Sequence, residues 1–418
     1  MNHLLKLRTV AAFLLALVLL VAGCGQQASN NTGGQSGTGS EEGVIKVGAA
    51  LPLTGDLAPQ GKDQRDGYEI WVKTVNDLGG IEIEGKKYKV ELVVEDYASD
   101  TNTAVKLAEK LITQDKVNFL LGPYGSASIM AVAPIAEKYR VIHMAPTGAS
   151  EKIYSQGYKY TFGTLSSSEA AFARPWVEGV LAKDPTVKKI AILARNDLYP
   201  LDVAETVKRI AEEKGLEVVY FGSYPIATKD LSAPLSEVKR SNPDVFFFSG
   251  YANDAMLAIR QSKQIGLYVK AFGATAGLTT PDFLEGMKEA ANNITSVETW
   301  TPTIPDTYRD DQFGTAADYA KKYQEMFGYV PPYTAASSTV SGYVLQKAIE
   351  RAQSLDPTKV REEIAKFDEN TFYGHVKFNE NGQNVAPGFM IQIEYPDLHV
   401  IWPEEAKTHE FVYPLPKN

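Results

Sequence analysis

From about Val44 onward, short apolar runs and longer stretches of helical spacing take turns along the chain, and this alternation constrains the fold more than any other feature. Residues 44–51, 89–96, 117–121 and 141–145 read as strands. Between them, 64–76 carries Tyr68, Ile70, Trp71 and Val75, and 103–114 sets Ala104, Leu107, Ala108, Leu111 and Ile112 on one helical face. After Tyr160-Thr161-Phe162 the pattern restarts. Helices are expected at 168–181, 201–214, 233–241 and 252–264, and strands at 189–194, 217–224, 245–249 and 269–272. The tail, from Ser296, adds a strand at 297–300, helices at 315–327, 333–352 and 357–366, and strands near 375–378, 389–394 and 399–402. Strand–helix alternation with short loops builds a parallel sheet with helices on both faces. A chain of 418 residues is too long for one typical core and suits two such bodies.

The N-terminus has a different character. Lys6 and Arg8 precede an unbroken apolar run at 11–21, the length of a signal-peptide core and short for a bilayer span. It ends in Val21-Ala22-Gly23-Cys24, and Cys24 is the chain's one cysteine. Small residues before a cysteine resemble the lipobox of bacterial lipoproteins. That resemblance implies cleavage after residue 23, a diacylglycerol on the Cys24 sulfur, and an extracytoplasmic protein anchored to the bacterial membrane by lipid. Residues 26–43 are Gly, Ser, Asn, Gln and Thr with almost no apolar content, a flexible tether reaching on the order of 25 Å.

The stretch Leu120-Leu121-Gly122-Pro123-Tyr124-Gly125-Ser126-Ala127-Ser128 runs from a strand straight into a helix. Ser126 is its expected N-cap. The first amides of a helix lack internal partners and the dipole makes that end electropositive, so a carboxylate placed there meets N–H groups and a hydroxyl together. Ligands of open α/β sheets sit beyond the carboxyl ends of the strands. Residues following the strands give a set of hydroxyls and aromatics: Thr54, Gln60, Tyr97, Tyr124, Ser126, Thr147, Ser150, Tyr199, Tyr251 and Thr275.

Other chemistry is not evident. Net charge is −9 without a basic run, which speaks against nucleic acid. No phosphate-binding glycine loop and no Gly-x-Ser-x-Gly elbow occurs. The five histidines lack metal-ligand spacing, and His143 lies in an apolar strand as a core residue. Ser236-x-x-Lys239 falls on an expected exposed helix without companion motifs. No enzyme, cofactor or metal is expected.

Ile45-Lys46-Val47-Gly48-Ala49-Ala50-Leu51-Pro52-Leu53-Thr54-Gly55 resembles the opening strand and turn of the periplasmic leucine/isoleucine/valine-binding proteins. Gly79-Gly80-Ile81, Leu121-Gly122-Pro123 with Ser126, Ala145-Pro146-Thr147, Phe248-Ser249-Gly250-Tyr251, and Phe372-Tyr373-Gly374 with Phe378-Asn379-Glu380-Asn381-Gly382 follow in the same order. The resemblance implies the periplasmic-binding-protein type I fold: two doubly wound α/β lobes joined by three crossovers, with the ligand between them. Lobe I would comprise 44–164 plus 297–372, and lobe II 165–296 plus 373–414, with crossovers near 162–165, 293–297 and 370–374. It also implies an ABC permease and ATPase as partners and a small-molecule ligand. Such a lipoprotein could instead signal ligand binding to a membrane receptor.

By the same resemblance, Ser126 and the Thr147 backbone match positions that hold an amino acid's carboxylate. Tyr199 and Tyr251 match tyrosines that close on the ligand, and Tyr124 and Gln60 match positions flanking the side-chain pocket. The chain departs from the pattern twice. Ala149, with Ser150 next, stands where Ser or Thr is usual. Gly273-Ala274-Thr275-Ala276-Gly277 lacks the acid that pairs the ligand's ammonium. A buried ammonium without a carboxylate is costly. The ammonium end of the site is therefore expected to be altered, and the expected ligand is a small carboxylate or an amide ahead of an α-amino acid, aromatic ones included given Tyr124, Tyr199, Tyr251 and Trp300.

Overall fold

Alternate residues of the central strands feed different apolar clusters, so both faces of each sheet are covered. The computed structural model describes residues 43–275 and 277–416. The signal core, Cys24 and the tether lie outside the described residues. The first half contains β1 (Gly43–Leu51), α1 (Ala58–Asp77), β2 (Ile81–Ile83), β3 (Lys86–Asp96), α2 (Thr101–Thr113) and β4 (Phe119–Leu121). It continues through α3 (Ser126–Tyr139), β5 (His143–Ala145), α4 (Glu151–Tyr154) and β6 (Thr161–Gly163). These strands form one sheet in the order β2-β3-β1-β4-β5-β6, parallel except for the edge strand β2. Phe119 and Leu121 of β4 join one cluster with Trp71 and Tyr68 of α1. Leu120, between them, joins Leu111 of α2 and Val132 of α3 on the opposite face.

The chain then turns through a short π-helical segment, Glu169–Ala173, into α5 (Arg174–Lys183). There follow β7 (Lys189–Arg195), α6 (Leu198–Glu213), β8 (Glu217–Tyr224), α7 (Ser232–Arg240), β9 (Val245–Ser249), α8 (Ala252–Ile265), β10 (Ala271–Ala274), α9 (Pro281–Met287) and β11 (Thr295–Glu298). β7 to β11 pair in parallel in the order β11-β10-β9-β7-β8. Val245 and Phe247 of β9 enter one cluster while Phe246 and Phe248 enter another. After β11 the chain leaves this sheet. A small hairpin, β12 (Arg309–Asp310) with β13 (Gly314–Thr315), leads to α10 (Ala316–Phe327), α11 (Tyr333–Ala352) and α12 (Pro357–Ala365), and α11 packs along α1. A second hairpin follows, β14 (Asp368–Thr371) with β15 (Gly374–Lys377). The chain then returns to the seven-stranded sheet as β16 (Phe389–Glu394) and β17 (Asp397–Trp402), both antiparallel to their neighbours.

Two α/β sheets, traversed in sequence and revisited by the tail, are the doubly wound α/β architecture expected, with three passages between sheets. The passages follow β6, follow β11, and lie between β15 and β16. Three differences from the sequence reading bear on the site. The helix expected at 64–76 starts at Ala58, with Pro59 in its first turn, so Gln60 is helical rather than in a loop. The tail strand expected at 297–300 is 295–298, which makes Glu298 its last residue. Ser126 is not the N-cap of α3: Gly125 holds that place at φ 84°, and no side chain caps the helix. Only glycine adopts that backbone at little cost, so the turn is made by Gly125 and Ser126 becomes the first helical residue.

Candidate functional site

The loops after β1, β4 and β5 on one sheet meet those after β7, β9 and β10 on the other. The turn into α3 is laced to the turn after β5. The Gly125 N–H donates to Thr147 Oγ1 at 3.1 Å, and the Ser150 N–H donates to Ser126 Oγ at 3.3 Å. Ser126 and Ser150 are fully buried and Thr147 nearly so. The Ser150 hydroxyl has no partner. Tyr97 donates its hydroxyl to the Tyr124 carbonyl at 2.9 Å, which fixes the loop that carries Tyr124.

Tyr124 meets two tyrosines from the other sheet. Its ring centroid lies 6.1 Å from that of Tyr251, and Tyr251 stacks on Tyr199 at 5.9 Å and 29°. Phe172 stands edge-on to Tyr199. Each such pair contributes about 0.5–1.5 kcal/mol beyond area burial. The Tyr333 hydroxyl, at the start of α11, adjoins that of Tyr124. Burial pushes all four phenols upward, so each is a neutral hydrogen-bonding group at ordinary pH. Gln60 closes the other flank: a methyl group at Gly277 would lie 3.3 Å from Gln60 Nε2. Its Oε1 is buried without a partner, as is the Tyr199 hydroxyl.

Three of the expected residues have other duties. Thr275 Oγ1 accepts from the Gly250 N–H and donates to the Gly250 carbonyl, both at 3.1 Å, so it braces the loops after β9 and β10. Ala149 is fully buried and its carbonyl accepts from Gln383 Nε2 at 3.0 Å. Thr54 turns away too, bonding Asp96 at 2.7 Å. His143 is buried inside β5, and burial lowers its pKa to about 4, which keeps it a neutral core residue.

Sequence reasoning missed two charged groups. Arg195, at the end of β7, is 5% exposed and donates to Asp254 at 3.0 Å and to Asp56, on the other sheet's loop, at 2.8 Å. Burial opposes its charge, but Asp254 and Asp56 outweigh that and hold its pKa up. It lies 5.0 Å from the Tyr251 ring centroid. Glu298, at the end of β11, is fully buried. A methyl group at Gly388 would meet the backbone carbonyls of both Glu298 and Ala171, so the end of β11 lies beside the segment whose Phe172 stands on Tyr199, and the Glu298 charge pushes the Tyr124, Tyr199 and Tyr333 phenols upward. Among the described residues no group of three or more His, Cys, Asp and Glu is arranged to hold a metal, and no helix is long and apolar enough to cross a membrane. The arrangement suits binding of a small polar solute.

A family model described as periplasmic binding protein matches residues 44–397. The leucine-, isoleucine-, valine-, threonine- and alanine-binding protein of Pseudomonas aeruginosa is 29% identical over 343 residues, covering 81% of this chain and 87% of that one. Leu/Ile/Val-binding protein homolog 8 of Brucella abortus is 28% identical, covering 87% and 91%. Among solved structures, the leucine-binding protein LivK of Thermotoga maritima superposes with a TM-score of 0.75 at 25% identity, covering 85% and 97%. A Rhodopseudomonas palustris solute-binding protein in complex with 3,4-dihydroxybenzoic acid gives 0.72 at 21%, covering 85% and 94%.

Proposed function

The chain belongs to the periplasmic binding protein family, and from that premise we propose that it is the extracytoplasmic solute-binding lipoprotein of an ABC importer. It captures a small polar solute between two lobes, one built on each sheet, which close on it. The observation that carries this reading is the tyrosine cluster. Tyr124 comes from one sheet and Tyr199 and Tyr251 from the other, and unpartnered hydroxyl and amide oxygens of Ser150, Tyr199 and Gln60 lie buried around it. Buried polar atoms are otherwise satisfied in native proteins, so such a group is suited to a ligand's own polar atoms. The solute's carboxylate, or an equivalent oxygen, meets the first turn of α3 with Ser126, the Thr147 backbone and Ser150, where free amides and the helix dipole favour negative charge. Tyr124, Tyr199, Tyr251 and Gln60 enclose the remainder, with Thr275 and Ala149 shaping the wall. The Pseudomonas relative's named ligands put small amino acids first in a screen.

The test is mass spectrometry of solute released when the purified protein is denatured, followed by thermal-shift measurements with amino acids, amides, and aliphatic and aromatic acids. The expected result is one class of small solute, returned chemically unchanged, that raises the melting temperature. Absence of any stabilising solute, or its turnover, overturns the reading. Anchoring has its own test. Cys24→Ser should yield an exported protein that fractionates away from membranes, and a processed variant still held tightly on the membrane refutes the lipid anchor.

A further inference from the structure

β11 ends in a buried carboxylate. Glu298 is 0% exposed. The Ser296 hydroxyl donates to its Oε1 at 3.4 Å, a long bond, and its Oε2 has no partner. The Thr279 hydroxyl stands near enough to favour the ionised form but outside bonding geometry, and it too is unpartnered and buried. No basic side chain is among the groups that act on Glu298, and Arg195 is taken up by Asp254 and Asp56. Around it stand Tyr124, Tyr199, Tyr333 and Tyr373, whose phenols its charge pushes upward. Burial alone raises its own pKa, to about 8.

We propose that Glu298 is the acidic pole of the solute site and receives the ammonium group of the ligand, which makes this a site for an amino acid rather than for a simple carboxylate. This rests on the reading of the tyrosine cluster as the solute site. An ionised carboxyl cannot persist there alone, because burying an unpaired charge is costly; a cation brought by the ligand supplies the missing partner. The acid-free loop 273–277 does not exclude an ammonium, since the neighbouring strand, paired in register with β10, ends in the acid instead. Thr279 and the tyrosine hydroxyls are placed to take the ammonium's remaining protons.

The test uses matched pairs that differ only at the α-position: leucine, valine, alanine and phenylalanine against their 2-oxo acids, by calorimetry at pH 7. The full-length protein should bind at least one amino acid about tenfold or more tighter than its oxo acid. Glu298→Gln, which keeps the shape, should weaken that amino acid by about a hundredfold and bring the pair within a few fold of each other. A 2-oxo acid bound as tightly as its amino acid, unchanged amino-acid affinity in Glu298→Gln, or no binding by any amine-bearing probe overturns the proposal. Ser126→Ala separates this failure from failure of the site itself. If Ser126→Ala weakens a bound probe while Glu298→Gln does not, the cluster is the solute site and Glu298 is not its acidic pole. If neither matters, the solute binds elsewhere. The melting curve of each variant shows whether it is folded.

Discussion

Asp63 lies on the second turn of α1, nearly fully buried, and accepts hydrogen bonds from Tyr329 and Thr334, each at 3.3 Å. Burial pushes its pKa up to about 7, and Asp66 pushes the same way. The sign of the consequence follows from proton counting. Between roughly pH 4 and 7 the folded protein keeps a proton that the unfolded chain has released, so stability falls as pH rises through that window and levels off above it. Asp63→Asn keeps an oxygen for Tyr329 and Thr334 and removes the titration. The variant should therefore gain on the wild type between pH 4.5 and 7.5, by on the order of 4 kcal/mol at most. Urea midpoints at both pH values measure this, and parallel profiles refute it. Single residues were the least legible part of this sequence. The tyrosines could be nominated because loops at strand ends carry ligands. Glu298 could not, because its role depends on which strand lies beside β10, and a one-dimensional reading looks for the acid on the loop that usually bears it. A signal was present: Glu298 is the one charged residue of a strand that is otherwise buried Thr, Ser and Val. Ser126 was misread because hydroxyls are good N-caps, while a turn that needs positive φ gives the cap to glycine.

At the scale of elements, periodicity was a good guide wherever burial was one-sided or complete. The strands at 217–224, 245–249 and 389–394 and the helix at 333–352 fall where the apolar pattern put them. The strands β2 and β14 were missed: β14 is Asp-Glu-Asn-Thr and carries no apolar signal, while β2, with Ile81 and Ile83 buried, is only three residues long. What the pattern could not show is how closely elements approach. Gly342 of α11 lies against the Trp71 indole of α1: a Cβ there would sit 2.3 Å from the ring. Gly67 of α1 lies as close to the Ala335 carbonyl. Two glycines on facing helices let the backbones meet, and the six-stranded sheet is covered on that side by the pair. Gly342→Ala would gain helix propensity worth about 1 kcal/mol in an open position. Here overpacking against a rigid ring outweighs it, and a net loss of about 1–3 kcal/mol is expected by chemical denaturation. A variant as stable as the wild type would mean that α11 can shift away from Trp71 without penalty.

On the scale of the whole molecule, the aromatic contact of Tyr124 with Tyr251 between the sheets is flanked by ion pairs that also run from one sheet to the other. Lys152 reaches Asp202 at 3.5 Å and Glu205 at 3.2 Å, and Arg195 reaches Asp56 at 2.8 Å. Such ion pairs suit a reversible closure, since each charge can exchange its partner for water when the pair separates. A ligand favours the closed form only by the contacts it makes there and not in the open form, and the cross-sheet ion pairs set the starting balance. Arg195–Asp56 is the pair to test. Arg195 is buried and keeps Asp254 as a partner, while the Asp56 side chain is 42% exposed. Asp56→Ala thus removes one end of the latch without leaving a buried charge alone, and the fold should hold. A partly exposed pair contributes about 0.2–1 kcal/mol. If that energy is present only in the closed form, solute affinity should drop by about two- to fivefold. Small-angle scattering should then show the wild type contracting on saturation with its solute, and Asp56→Ala contracting to the same radius but at higher solute concentration. The shared end point matters, because it distinguishes a shifted balance from a damaged site. No contraction in the wild type would sink the closure mechanism, and an unchanged affinity in Asp56→Ala would show that this ion pair forms equally in the open molecule.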